Sequence, residues 1–409
     1  MTIAPLKKLF KAAGLPGYLL FFQNILMFLV QRVRDFEQNT ALDFSAWAQM
    51  AYVGMVFLVC FDILFRQSPH KSKFLFTSPQ VFLLGYVMIC FVSMLWSPNV
   101  MLTGFRAFES LAYLMLISLI VQNLISRLGY QDIVEWGILW IVWHLFWSTL
   151  TGIKILGIQY LFWPFGASRL AVPLFFFLAL LMAQRKVFKF LIMAFCILSV
   201  SNKVYFGIVL GMLGFYYGNS RYRAWMFGGI VSVLFVLVLV DLEELLLSTV
   251  FYGREAISMA NTSGRDRIWA IAMEGFLQKP LLGYGFVAGE NSVLYQNFSS
   301  AINTHNFLLS AVLGTGLLGA VLLLLYFRRI YRMASSKAFP ASKWRPAMVG
   351  TFLMGLVISM TAPGIGGRVY GSWIPLVLIF TLISGLHLKY REHRITTKQR
   401  SIEDNLGYA

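Results

Sequence analysis

Apolar blocks separated by short basic stretches recur along the whole chain, and this alternation constrains its fold more than any other feature. A helix that crosses a bilayer needs about 20 mostly apolar residues, because no water is present there to satisfy its backbone. The composition agrees: 58% of the 409 residues are hydrophobic and 12% are charged, against about 45–50% and 25% in soluble domains. Apolar spans are expected at about 17–30, 44–65, 80–96, 107–126, 133–150, 171–183, 188–200, 204–217, 224–240, 304–327, 347–362 and 373–388. Several are short, so the block at 171–217 is compatible with broken or tilted helices.

The basic residues test this count, because they collect in segments left on the cytoplasmic side. With the N-terminus inside and each span reversing the chain, eleven of the 34 basic residues fall outside. These are Arg32, Arg34, Arg106, Lys154, Arg169, Lys203, Arg254, Arg265, Arg267, Lys279 and Arg368; the remaining 23 fall inside. The expectation is an all-α, polytopic membrane bundle of about twelve helices, with both termini cytoplasmic. It divides into spans one to nine (1–240), an external loop with short helices (241–303), and the last three spans with a basic tail (304–409).

The same scatter of basic residues argues against nucleic acid as a partner, despite a net charge of +17. A nucleic-acid surface needs its cations gathered on one folded face. Lys7, Lys8 and Lys11 precede an apolar stretch with no clear small-residue cleavage site after it, so no cleavable leader is expected. Cys60, Cys90 and Cys196 lie within apolar blocks and read as packing residues. No outer cluster of Asp, Glu and His has metal-ligand spacing, so neither metal nor other cofactor is expected.

Topology does not account for the outer cations. Arg169, Lys203 and Arg368 sit near span ends, where two readings stand: snorkelling to the headgroups, or lining a cavity for an anionic group. The external loop contains Asn261-Thr-Ser-Gly-Arg-Asp-Arg-Ile-Trp269, in which Ser263 and Asp266 have capping-box spacing. A helix is therefore expected to begin there and to run to about Gln278, ended by Lys279-Pro280. Its N-terminus presents free N–H groups and suits phosphate, and Arg265 in the first turn can make bidentate contacts. Arg267 points elsewhere on the helix. The alternative is a capped surface helix with solvated arginines.

Leu282-Gly-Tyr-Gly-Phe286 reads as a tight turn. Thr304-His305-Asn306 opens the next span, ahead of Gly314-Thr-Gly316. His305 is the one histidine of five assigned to the outer face. It can move a proton near neutrality, or simply cap the helix or hydrogen-bond a neighbour.

The order Ser263-Gly-Arg265-x-x-x-Trp269, Gly283-Tyr-Gly285, His305-Asn306-Phe-Leu and Gly314-Thr-Gly316 resembles the O-antigen ligase and polymerase superfamily, over about residues 260–320. Two upstream positions depart from the family's pattern: Pro173-Leu174 stands where relatives often have Pro-Asn, and Ser201-Asn-Lys203 where they often have Ser-Arg. The resemblance implies a fold related to all-helical, GT-C-like membrane glycosyltransferases, and a metal-independent glycan transfer on the periplasmic face of the bacterial inner membrane. The implied donor is an undecaprenyl diphosphate-linked glycan, and the ligase acceptor is lipid A-core. Under that reading, Arg265 is the first choice for stabilising the diphosphate, with Arg169, Lys203, Arg368 and Arg267 in support. His305 is the candidate base and Glu290 an alternative. Asn306 either orients His305 or caps the helix, and membrane lipids surround the spans.

Ligase and polymerase share the donor site and differ in acceptor, and the ligase reading is preferred. A transporter of a lipid-linked sugar or anion is the alternative from another class, although the halves show no convincing repeat. A purely structural subunit leaves the outer arginines and His305 unexplained.

Overall fold

The structure is a computed structural model that describes residues 3–30, 44–67, 72–77, 79–156, 173, 209–214, 265–297, 303–339, 344–361, 364–369 and 373–405. Among these residues the regular secondary structure is all helical, without strands. The helices are α1 (Ile3–Val30), α2 (Phe44–Phe61, continued by a π-helical turn Asp62–Gln67), α3 (Ser72–Phe76), α4 (Gln80–Val92, closed by a 3₁₀ turn Ser93–Trp96), α5 (Val100–Arg127), α6 (Tyr130–Leu156), α7 (Arg265–Gln278), α8 (Ala288–Asn297), α9 (Phe307–Ala334), α10 (Trp344–Thr361) and α11 (Trp373–Asn405).

Among the described residues, four helical stretches are long and apolar enough to cross a membrane: Ala46–Arg66, Val100–Arg127, Phe307–Ala334 and Trp373–Thr396. Gln80–Trp96 and Trp344–Met360 are shorter apolar helices. The spans expected at 188–200 and 224–240, and most of those at 171–183 and 204–217, lie outside the described residues, as do residues 241–264 of the external loop. Within that gap, the helical residues 209–214 dock on α10 at Gly214, where an added Cβ would lie 3.0 Å from the Gly350 backbone.

Helix ends differ from the apolar blocks where a polar residue sets them. Helix α5 begins at Val100, seven residues before the expected span, because Asn99 caps it by accepting from the Leu102 N–H at 3.0 Å. Helical residues also precede the first expected span: α1 starts at Ile3 and breaks at Gly14 (φ 66°), just before Pro16. In that leading segment Leu9, Ala12 and Ala13 are buried while Lys8 and Lys11 are exposed, so its apolar face packs and its cations remain in solvent.

Segments assigned to the inner side pack with one another. Lys8 pairs with Asp132 at 2.8 Å, Arg127 donates to the Lys11 carbonyl at 3.2 Å, and Lys389 donates to the Ile125 and Leu128 carbonyls at 2.7 and 2.8 Å. The stacked rings of Tyr130 and Tyr390 complete this end. At the opposite ends of α4 and α5, Ser93, Trp96, Ser97 and Thr103 meet the segment 282–287. Between the two ends, Arg106 is tied to the buried Glu109 at 2.8 Å, and Glu109 also accepts from Gln49 of α2 at 2.7 Å. Arg106, one of the eleven cations assigned to the outer side, therefore has a structural partner.

Candidate functional site

Helix α9 is broken at Gly316, whose backbone (φ 65°, ψ −163°) is open essentially to glycine alone. The break exchanges bonds within the helix for bonds to the loop. In an unbroken helix the Leu317 N–H would reach the Leu313 carbonyl. Here Leu317 N–H donates to the Pro280 carbonyl at 2.8 Å, and the Leu313 carbonyl accepts from Tyr284 N–H at 2.8 Å. Gly285 N–H donates to the Gly314 carbonyl at 2.9 Å. The two Gly-x-Gly segments are thus one backbone joint. Gly283 (φ 65°) lies against it so closely that a Cβ would stand 2.6 Å from the Leu313 carbonyl oxygen. Its glycines are explained by this close approach, so no phosphate-loop role is needed to account for them.

The far side of the same loop is fastened to α4 and α5. Phe286 N–H donates to Ser93 Oγ at 2.9 Å, and the Phe286 carbonyl accepts from Thr103 Oγ1 at 2.9 Å. Held at both backbone groups, the chain turns through Val287 at φ 59°, a conformation unfavourable for a β-branched residue, and enters α8.

The expected helix from Ser263 to Gln278 is found as α7, Arg265–Gln278, with Arg265 as its first residue; Ser263 lies outside the described residues. Arg267 is exposed on α7. Trp269 Nε1 donates to the Thr304 carbonyl at 2.9 Å, which ties α7 to the turn before α9. Between α7 and α8 lies an open recess of about 120 Å³, in which Glu274, Gln278, Tyr284 and Gln296 surround the apolar Ile271 and Val293.

The turn carries His305. Thr304 is fully buried, His305 is half-buried, and Asn306 is 8% exposed. Asn306 is the N-cap of α9: its side-chain oxygen accepts from Leu308 and Leu309 N–H at 2.9 and 3.2 Å. Of its two readings, capping is the one these bonds describe. His305 has a positive φ of 52°, and its N–H donates to Asn303 Oδ1 at 3.1 Å. A left-handed histidine persists only where its surroundings over-determine the turn.

Those surroundings centre on Glu290 of α8, which is 3% exposed. Its Oε1 accepts from Thr304 N–H at 2.7 Å and from Ser310 Oγ at 2.7 Å, and the Thr304 and Ser310 hydroxyls are 2.8 Å apart. Burial pushes the Glu290 carboxyl above its ordinary value of 4.5, against the lowering pull of these donors and of the Arg368 charge. A carboxyl raised in the folded state contributes stability that is complete below pH 4.5 and is lost as pH rises through the raised value. Thermal melting in detergent is therefore expected to show Tm falling across that window in the wild type. Glu290→Gln, neutral throughout, should flatten this component; an unchanged slope would contradict the assignment to Glu290.

Arg368 reaches this region on residues 364–369. Gly366 lies so close to the Phe307 carbonyl at the start of α9 that no Cβ fits, and its own carbonyl accepts from Tyr86 of α4 at 2.5 Å. Arg265, Trp269, Glu290, His305, Asn306 and Arg368 thus belong to segments that converge on the first turn of α9. Arg169 and Lys203 lie outside the described residues. Thr304 and Ser310 were not singled out by the motifs, although a serine one turn after an N-cap within an apolar run is a signal for a buried polar tie. Among the described residues, no three His, Cys, Asp or Glu side chains cluster as a metal site would require.

Residues 187–324 match the family described as O-antigen ligase, which supports an O-antigen ligase-like superfamily. The matched stretch contains α7, α8, the His305 turn and the break in α9. No curated protein matches the chain.

Proposed function

We propose that this protein is a glycosyltransferase of the O-antigen ligase type. It transfers a glycan from undecaprenyl diphosphate to a hydroxyl of lipid A-core, without a metal, at the periplasmic face of the inner membrane. The observation that carries the reading is that four separate motif segments are bonded to one another along α9, at the end of the bundle opposite its paired basic segments. Trp269 bonds the turn 303–306, residues 284–285 bond Leu313 and Gly314 at the break, and both pairings lie inside the stretch that matches the family.

In this reading the acceptor oxygen attacks the anomeric carbon as the bond from that carbon to the phosphate oxygen breaks. The electron pair leaves with undecaprenyl diphosphate, and the acceptor's proton passes to His305. Charge builds on the leaving diphosphate. A fixed cation there stabilises the transition state more than the ground state, which is what lets arginine stand in for a divalent ion. Arg265 at the N-terminus of α7 has that role, because the helix end adds its own free N–H groups. Arg368 is the second cation by position, with Arg169, Lys203 and Arg267 as further contributors. The apolar spans hold the polyprenyl chain.

The purified full chain in detergent, given the lipid-diphosphate glycan and lipid A-core with a chelator present, is expected to shift the acceptor on a gel. Lengthened lipid-linked glycan without a shifted lipid A-core would make the activity that of a polymerase. Loss of transfer on chelation, restored by a divalent ion, would overturn the metal-independent mechanism. No transfer to either acceptor by folded protein would favour the transporter.

A further inference from the structure

We propose that Glu290 is a positioning residue, which holds the His305 turn in its left-handed conformation through Thr304 and Ser310 and does not itself take the acceptor's proton. The inference rests on the reading of His305 as the proton acceptor and deepens it.

Both described hydrogen bonds to Glu290 end on one oxygen. Oε1 receives the Thr304 N–H from the residue before His305, and the Ser310 hydroxyl from the first full turn of α9. Glu290 therefore bridges the two sides of the residue whose φ is 52°. The same turn is pinned from α7 by Trp269 on the Thr304 carbonyl, and from within by Asn303 on the His305 N–H. Thr304 thus has both peptide groups engaged, its N–H by α8 and its carbonyl by α7. His305 follows directly and has little freedom to change its direction.

Burial separates this role from that of a base. Glu290 is 3% exposed and lies beneath Thr304, which is itself fully buried, whereas His305 is half-buried. A group that accepts a proton from substrate must come within hydrogen-bond reach of it. His305 has a surface with which to do so.

The geometry also provides a discriminating substitution. Glutamine in the rotamer of Glu290 keeps an amide oxygen at the Oε1 position and can accept both bonds, but it cannot take a proton at neutral pH. Alanine removes the acceptor and leaves the Thr304 N–H and Ser310 hydroxyl buried without it. The experiment measures kcat and the donor KM of the detergent-purified full chain for Glu290→Gln, Glu290→Ala, Ser310→Ala and His305→Ala, with pH profiles of kcat and a melting curve for each.

Glu290→Gln is expected to stay within about three-fold of wild type and to keep its pH profile. Glu290→Ala should lose about 10²-fold in kcat at nearly unchanged KM, the scale of loss when a reacting group is misplaced by about 1 Å. Ser310→Ala, which removes one of the two bonds, should fall between them. If Glu290→Gln is as inactive as Glu290→Ala while both remain folded, Glu290 is the base and the proposal is overturned. Wild-type kcat in a folded Glu290→Ala overturns it equally. Should Glu290→Ala not fold, the Gln and Ser310 variants still decide: retained kcat in Glu290→Gln with reduced kcat in folded Ser310→Ala supports positioning, and any other pairing opposes it. Transfer retained by His305→Ala would instead sink the reading of His305 on which the proposal stands.

Discussion

His305→Ala is expected to lower the rate of glycan transfer by about 10²–10⁴-fold, the usual contribution of a positioned general base, while the protein stays folded and the donor still binds. The fold should survive because bonds from its neighbours and from the His305 backbone hold the turn. Asn303, Thr304, Asn306 and Glu290 make the contacts, and alanine keeps the N–H that reaches Asn303. Alanine is less tolerant of a positive φ, so a modest drop in Tm is expected alongside the loss of rate. Arg265→Ala should cost about 10²–10³-fold, as removal of one stabilising group from a developing anion does. The two substitutions separate by pH. Arg265→Ala should keep the bell or limb that His305 imposes on kcat, and His305→Ala should lose it. An His305→Ala protein that transfers within ten-fold of wild type would remove His305 from the chemistry.

Gly316→Ala is expected to destabilise the protein by an amount large for a single methyl group, with loss of transfer. Two costs combine. The backbone at φ 65°, ψ −163° is strained for any side chain, by about 1–3 kcal/mol. The new Cβ would also fall onto the Leu281 carbonyl, in the loop that receives the freed bonds of α9, and overpacking costs about another 1–3 kcal/mol. Relief by rewinding α9 would break the Leu317–Pro280 and Tyr284–Leu313 bonds, because the Leu317 N–H and Leu313 carbonyl would then bond each other. Either route loosens the loop that leads into α8, which carries Glu290, and through it the His305 turn. Gly54→Ala is the control: nothing lies within 4 Å of a Cβ there, so its Tm should hardly move. Equal melting of the two variants would show that the joint between the glycine segments contributes no stability.

The apolar blocks and their basic separators carried the all-helical architecture, because in a bilayer the local pattern and the requirement for internal hydrogen bonding leave few other solutions. The C-terminal end of α7 was legible for the same reason: Lys279-Pro280 acts within one turn of itself. The motif order was also legible as order, and His305 as a residue beside a helix start.

The partners of those residues were not legible. Gly283 and Gly316 look like independent turn signals in sequence, yet Gly283 has the Leu313 carbonyl and the Gly316 N–H against it, and Gly316 has the Leu281 carbonyl. Glu290 reads as a loop carboxylate until α8 folds it under Thr304 and Ser310, 14 and 20 residues away. Ser93 and Thr103 give no sign that they grip the Phe286 backbone, more than 180 residues on. Sequence by itself determined the local matters, namely helix, polarity and cap, since these depend on neighbours within a turn or two. Tertiary structure alone decided which carbonyl a broken helix would surrender, and which buried carboxylate would receive the turn before it. Those outcomes depend on atoms brought within 3 Å of each other by packing, and no spacing along the chain encodes such a distance.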